Sequence, residues 1–160
     1  MIQSPTRQLR EFDSDGDELR RVQLPHGHDM EPYHAVESPT GTFIVSRYNA
    51  QLEQRVYQGE VVEVNTGGEV RRQFSGSRLS SLLIEHVAID SHGNIFVVDR
   101  HNRRILLLDA HLSLRRVIID EHQLNDERPL RLCYREQSGQ LSVGLDGYQG
   151  GVAMFDVLCR

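Results

Sequence analysis

The sequence predicts an all-β fold of four-stranded antiparallel sheets repeated along the chain, and three features carry the prediction. First, residues 86–119 read as four short strands in succession: H-V-A-I-D, I-F-V-V-D, I-L-L-L-D and L-R-R-V-I. The turns between them are Ser91-His92-Gly93-Asn94, Arg100-His101-Asn102-Arg103 and Ala110-His111. Short apolar or β-branched runs bounded by such residues mark antiparallel hairpins. Second, the unit recurs: Gly41, Gly93 and Gly139 precede Phe43, Ile95 and Leu141 and stand 52 and 46 residues apart (93 − 41 and 139 − 93). Third, a strand ending on Asp or Asn occurs at Leu9 to Asp13, Val61 to Asn65, Ile105 to Asp109 and Val152 to Asp156. Arg pairs follow the first three of these, at Arg20-Arg21, Arg71-Arg72 and Arg115-Arg116. A period of about 40 to 50 residues with four strands per unit is what β-propeller blades show.

Taken in order, residues 1–30 supply two strands of an incomplete blade. Between them, Asp13-Ser14-Asp15-Gly16-Asp17 has the look of a calcium loop, but an EF-type loop needs Glu at its twelfth position and Leu24 stands there. An Asx-capped β-turn is the better account. Pro25-His26-Gly27-His28-Asp29 with His34 has the residue types of a zinc site, yet it falls in a polar connection between blades, where histidine is usually just solvated. Residues 31–80 form a blade with a long segment between its second and third strands, Arg47 to Gly59. Tyr48, Tyr57, Arg47 and Arg55 make this segment a binding loop or, equally, a tolerated insertion. Leu82, Leu83 and Ile84 are expected to cover the seam before the next blade. In residues 81–125 the run Ile105 to Leu108 is continuously apolar, as a strand buried on both faces requires. The Arg pairs fall on outer strands, where charge discourages edge-to-edge pairing. Residues 126–160 supply three strands of an incomplete last blade.

Asp99-Arg100-His101-Asn102-Arg103-Arg104-Ile105, following V-A-I-D-x-x-G-N-I-F-V-V, resembles the NHL repeat with its Asp-x-x-Asn-x-Arg-aliphatic signature. The resemblance covers residues 86–119. It is weaker over 33–74, where Ser46 is aligned with Asp99 and Asn49 fits, and over 129–156, where Gly144 takes that place. NHL propellers typically have six blades, so the resemblance implies a partial NHL-like propeller of about three, expected to be a fragment of a larger protein. An open array leaves strand edges available for self-association. The resemblance also implies likeness to the propeller end of TRIM-type ubiquitin ligases, which binds partner proteins or RNA. Within the motif, Asp99, Asn102 and Arg104 are expected to brace the turn.

The formal charge of −5 argues against a general nucleic-acid binder. All 18 basic residues are Arg. Arg suits bidentate and stacking contacts, although the codon bias of a GC-rich genome gives the same composition. Cys133 and Cys159, in no dense pattern, predict a reducing, cytoplasmic setting. No apolar run approaches the roughly 18 residues of a membrane helix, and no metal or cofactor is expected.

On a propeller, the turns from strand two to three share one face with the connections between blades. That face is predicted to collect Arg47, Tyr48, Arg55, Arg100, His101, Arg103 and Arg128, with acidic Asp29, Glu31, Glu53, Asp126 and Glu127 among them. Arg and Tyr are enriched at interaction hot spots, so the expected function is a non-catalytic module binding a protein or peptide. In a ubiquitin-ligase-like protein this would be the substrate-recognition part. Binding of single-stranded RNA is the alternative. A calcium-dependent lactonase-like hydrolase is disfavoured, because no ring of acids forms at the position of Asp99.

Overall fold

The structure, a computed structural model, describes residues 7–25, 30–51, 56–76, 81–148 and 150–157. These residues form thirteen strands and no helix. A two-stranded sheet pairs β1 (Gln8–Phe12) with β2 (Glu18–Gln23). Two four-stranded sheets follow: β3 (Glu31–Glu37), β4 (Phe43–Gln51), β5 (Val56–Val64) and β6 (Val70–Ser75), then β7 (Ile84–Ile89), β8 (Ile95–Asp99), β9 (Arg104–Leu108) and β10 (Leu114–Ile119). A three-stranded sheet of β11 (Arg128–Arg135), β12 (Gln140–Asp146) and β13 (Gly151–Asp156) completes the array. Every pairing is antiparallel between consecutive strands. Each sheet is therefore a meander, and the first strands meet one another: β7 contacts both β3 and β11.

Alternation on the middle strands holds the sheets face to face. Ile95 and Val97 on β8 and Leu106 and Leu108 on β9 join Ile44 and Val61 of the preceding sheet in one cluster. Phe96, Val98, Ile105 and Leu107, their immediate neighbours in sequence, join Leu132, Leu141 and Val143 of the following sheet in another. A third cluster packs Val22 on Phe43, Val45, Val62 and Val64. A period of two sends successive side chains to opposite faces, so only an apolar run fills both seams. Burial is worth about 1.5–3 kcal/mol for each such side chain, which suffices to hold the stack. Leu82 lies in the first seam as the sequence predicts.

The rim turns share one device. An oxygen of Asp13, Ser38, Asn65, Asp90 or Asp109 accepts the N–H groups two and four residues on. The fourth residue of each turn has a positive φ, which is glycine in four cases and Leu112 (φ 61°) in the fifth. Leu112 accepts that conformation while its side chain is buried in the first seam.

Two sequence expectations change. The supposed loop Arg47 to Gly59 is mostly ladder, because β4 and β5 run on as a long hairpin pairing Tyr48 with Gly59 and Gln51 with Val56. Counted from the turn glycines, the residues in phase with Asp99 are Arg47 and Leu145, one beyond the expected Ser46 and Gly144. The motif alignment relied on Asn49, but Asn49 sits inside the extended ladder opposite Gln58 instead of in a turn.

Candidate binding groove on the loop face

The turn after β8 and the two connections beside it are tied together by hydrogen bonds. Asp99, fully buried, accepts from Asn102 Nδ2 (2.8 Å) and Arg104 Nε (2.8 Å). Asn102 Nδ2 also donates to the Ser81 carbonyl (2.8 Å), and the Arg100 N–H donates to that of Leu83 (3.0 Å). The Leu82 N–H in turn donates to the Tyr57 carbonyl (3.0 Å). The motif residues thus brace the turn and fix the side chains it projects.

Those side chains line a cavity of about 300 Å³ formed by Tyr57, Leu83, Arg100, His101, Arg103 and Arg128. The Tyr57 and His101 rings lie 5.3 Å apart between centroids, tilted by 51°. Arg100 bridges two blades, donating to Glu85 (3.0 Å) and Asp146 (2.6 Å). Burial works against its charge, but the bonds to Asp146 and Glu85 outweigh it and raise its pKa. Arg103 lies 3.9 Å from Asp126. Arg128 has no carboxylate partner among the described residues. It is also shared with a second, open groove of about 930 Å³ lined by Asn125, Asp126, Glu127, Asp146, Gly147 and fully exposed Tyr148 among others. The two recesses share Arg128 as a common wall, the smaller lined by bases and the larger by the acids that Arg100 and Arg103 face.

Of the predicted residues, Arg100, His101, Arg103 and Arg128 therefore come together. Arg47 does not: it pairs with Glu60, opposite it in the ladder, and lines a small recess against Leu24, Pro25 and Pro32. Tyr48 packs on Tyr33 with ring centroids 5.5 Å apart. Burial, then the neighbouring Tyr33 and Glu85, raise its pKa. Arg55, and the His26–Asp29 cluster, lie outside the described residues. Asp146 and Tyr148 escaped the sequence reading, although their turn stands in the repeat where Arg100 to Arg103 stands one blade earlier.

A second arrangement also escaped it. His34 on β3 and His86 on β7 stand four residues before equivalent turn positions, Ser38 and Asp90. Their rings stack with centroids 3.7 Å apart. His86 Nδ1 accepts the Leu132 N–H (3.3 Å). Burial first, then His34 and Arg131, bring its pKa down to about 4. Burial and Arg131 lower that of His34 as well. Two neutral rings thus join the inner strands of adjacent blades. Counting both histidines from their turns would have aligned them.

No protein-family model and no curated protein matches the chain, so the NHL likeness rests on its motif alone. Among solved structures, the chain is similar to a protein of unknown function from Bacteroides caccae. Identity is 15%, TM-score 0.61, and the match covers 97% of this chain and 53% of that one. The fold is that of a partial β-propeller. Virginiamycin B lyase from Staphylococcus aureus (9% identity, TM-score 0.48, 97% and 64% covered) and a streptogramin B lyase (8%, 0.48, 97% and 63%) are also similar. The chain spans between about half and two-thirds of the length of these proteins. The expectation that it is not an enzyme is corrected here, because folds similar to it include a lyase. The Asp99 comparison behind that expectation concerned one position of the repeat and not the fold as a whole. Likeness at this identity concerns the fold and assigns no reaction to this chain.

Proposed function

We propose that the protein recognises an extended segment of a partner protein along the track from Tyr57 to Tyr148. The observation that carries this reading is that the two recesses share Arg128 in their linings, with Tyr57, His101 and Tyr148 set among charged side chains. A small-molecule pocket is enclosed and mostly apolar, whereas this track is open and polar and offers the Tyr and Arg contacts common at protein interfaces. RNA is the weaker reading. Arg100 is matched by Glu85 and Asp146 and Arg103 faces Asp126, so a polyphosphate chain would run past carboxylates instead of a basic stripe. A place in ubiquitin ligation rests on the motif resemblance alone.

Selection of displayed peptides against the chain tests the reading. Selected peptides are expected to lose about tenfold or more in affinity on Arg128→Glu or Tyr148→Ala, and to be indifferent to Arg71→Glu on the outer strand. Peptides that bind all three variants alike would place recognition elsewhere.

A further inference from the structure

The cavity at the basic end carries a more specific assignment, which rests on reading the track as a peptide site. Its six lining residues include Arg100, His101, Arg103 and Arg128 and no carboxylate. Arg100 is held in place by two acids that lie outside the lining, so its position is fixed whether or not a ligand is bound. Arg128 is unpaired among the described residues, and Arg103 meets Asp126 only at 3.9 Å, longer than a charge-assisted hydrogen bond. The remaining wall is Tyr57, tilted on His101, with Leu83. A guanidinium cluster beside a ring and an aliphatic side chain suits a single anionic group on a flat or apolar stem. Beyond Arg128 the lining turns acidic at Asp126, Glu127 and Asp146.

The geometry points to a charge-polar partner segment, in which an anionic side chain, phosphorylated or carboxylic, enters the Arg100–Arg103–Arg128 cavity while a basic residue beside it lies over Asp126, Glu127 and Asp146. A run of phosphates does not fit, because the acids of the second recess would face its next charges.

Titration of the whole chain with phenyl phosphate, and separately with benzoate, tests the cavity through the His101 ring resonances. A saturable shift with a dissociation constant of about millimolar is expected. It should weaken about tenfold in the Arg103→Gln/Arg128→Gln double variant, with benzyl alcohol giving none. A response to phenyl phosphate alone assigns a phosphorylated side chain, and a response to both admits a carboxylate. No saturable shift, an equal shift in the double variant, or an equal shift with benzyl alcohol overturns the assignment. A single-stranded oligouridine that binds through these arginines more tightly than phenyl phosphate also overturns it. Peptides selected without an acidic residue, bound equally by the double variant, would remove the anion cavity and leave the peptide track. Phenyl phosphate binding with no peptide selected would do the reverse.

Discussion

Asp99–Arg104 and Arg47–Glu60 are the same cross-strand pair with its charges exchanged. Both sit opposite each other between the second and third strands, in phase, one blade apart. Asp99 is fully buried and the Arg47 and Glu60 side chains are 12% and 9% exposed. Removing one partner of a buried pair leaves a charge without compensation, at a cost of about 3 kcal/mol. Glu60→Ala, which strands the largely buried Arg47, should lower stability by that order in urea unfolding. Asp99→Ala should lower it through the lost bonds to Asn102 and to Arg104, whose side chain is 33% exposed. Exchanging the second pair, Arg47→Asp with Glu60→Arg, should recover most of the loss. If the exchanged protein is no better than Glu60→Ala alone, the two pairs are not equivalent.

The stacked histidines give a pH dependence of defined sign. In the unfolded chain His86 titrates near 6.5, while in the folded chain it does so at about 4. Between those values the unfolded state binds more protons, so stability is full above pH 6.5 and falls as pH drops towards 4. The ring is half-buried, and solvent screening reduces the effect to about 1 kcal/mol. His86→Asn should flatten that part of the stability profile. An unchanged slope would mean that the ring is protonated in the folded protein.

At the scale of the element, the blade seams depend on close backbone approach. A Cβ on Gly59 would lie 2.7 Å from the Leu82 carbonyl oxygen and 3.0 Å from Ile84 Cγ1. Since one of these is main chain, the connection into β7 would have to move. Gly59→Ala should therefore cost about 1–3 kcal/mol. Gly67→Ala, whose added carbon meets only the Asn65 side chain at 3.4 Å, should stay within about 0.5 kcal/mol. Equal unfolding midpoints for the two would show that the seam is looser than the structure has it. The strands themselves were legible in the sequence because the middle of a blade must be apolar on both faces and four of the five rim turns carry glycine at their positive-φ position. Ile105 to Leu108 shows the first constraint and Gly93 the second. The hairpin of β4 and β5 was not legible: Arg47 to Gly59 has turn-like polarity, yet ladder pairing and the Glu60 partner decide its form. Nor were His34 against His86 or Arg100 against Asp146, which meet only through contacts between blades about one repeat apart in sequence.

For the whole molecule, the repeat divides the surface into two rims. One holds the Asx-type turns of Asp13, Ser38, Asn65, Asp90 and Asp109, which satisfy their own backbone N–H groups. The other gathers side chains from the turn after β8, the connection before β11 and the turn after β12 around Arg128. A fold that stacks sheets in this way leaves the second rim to recognise other molecules. Hydrogen exchange across the chain, with and without a selected peptide, tests this most directly. Slowed exchange is predicted at residues 100–103, 126–128 and 146–148, with residues 38–42, 90–94 and 109–113 unchanged. Protection confined to those latter turns, or to outer strands β6 and β10, would contradict the account.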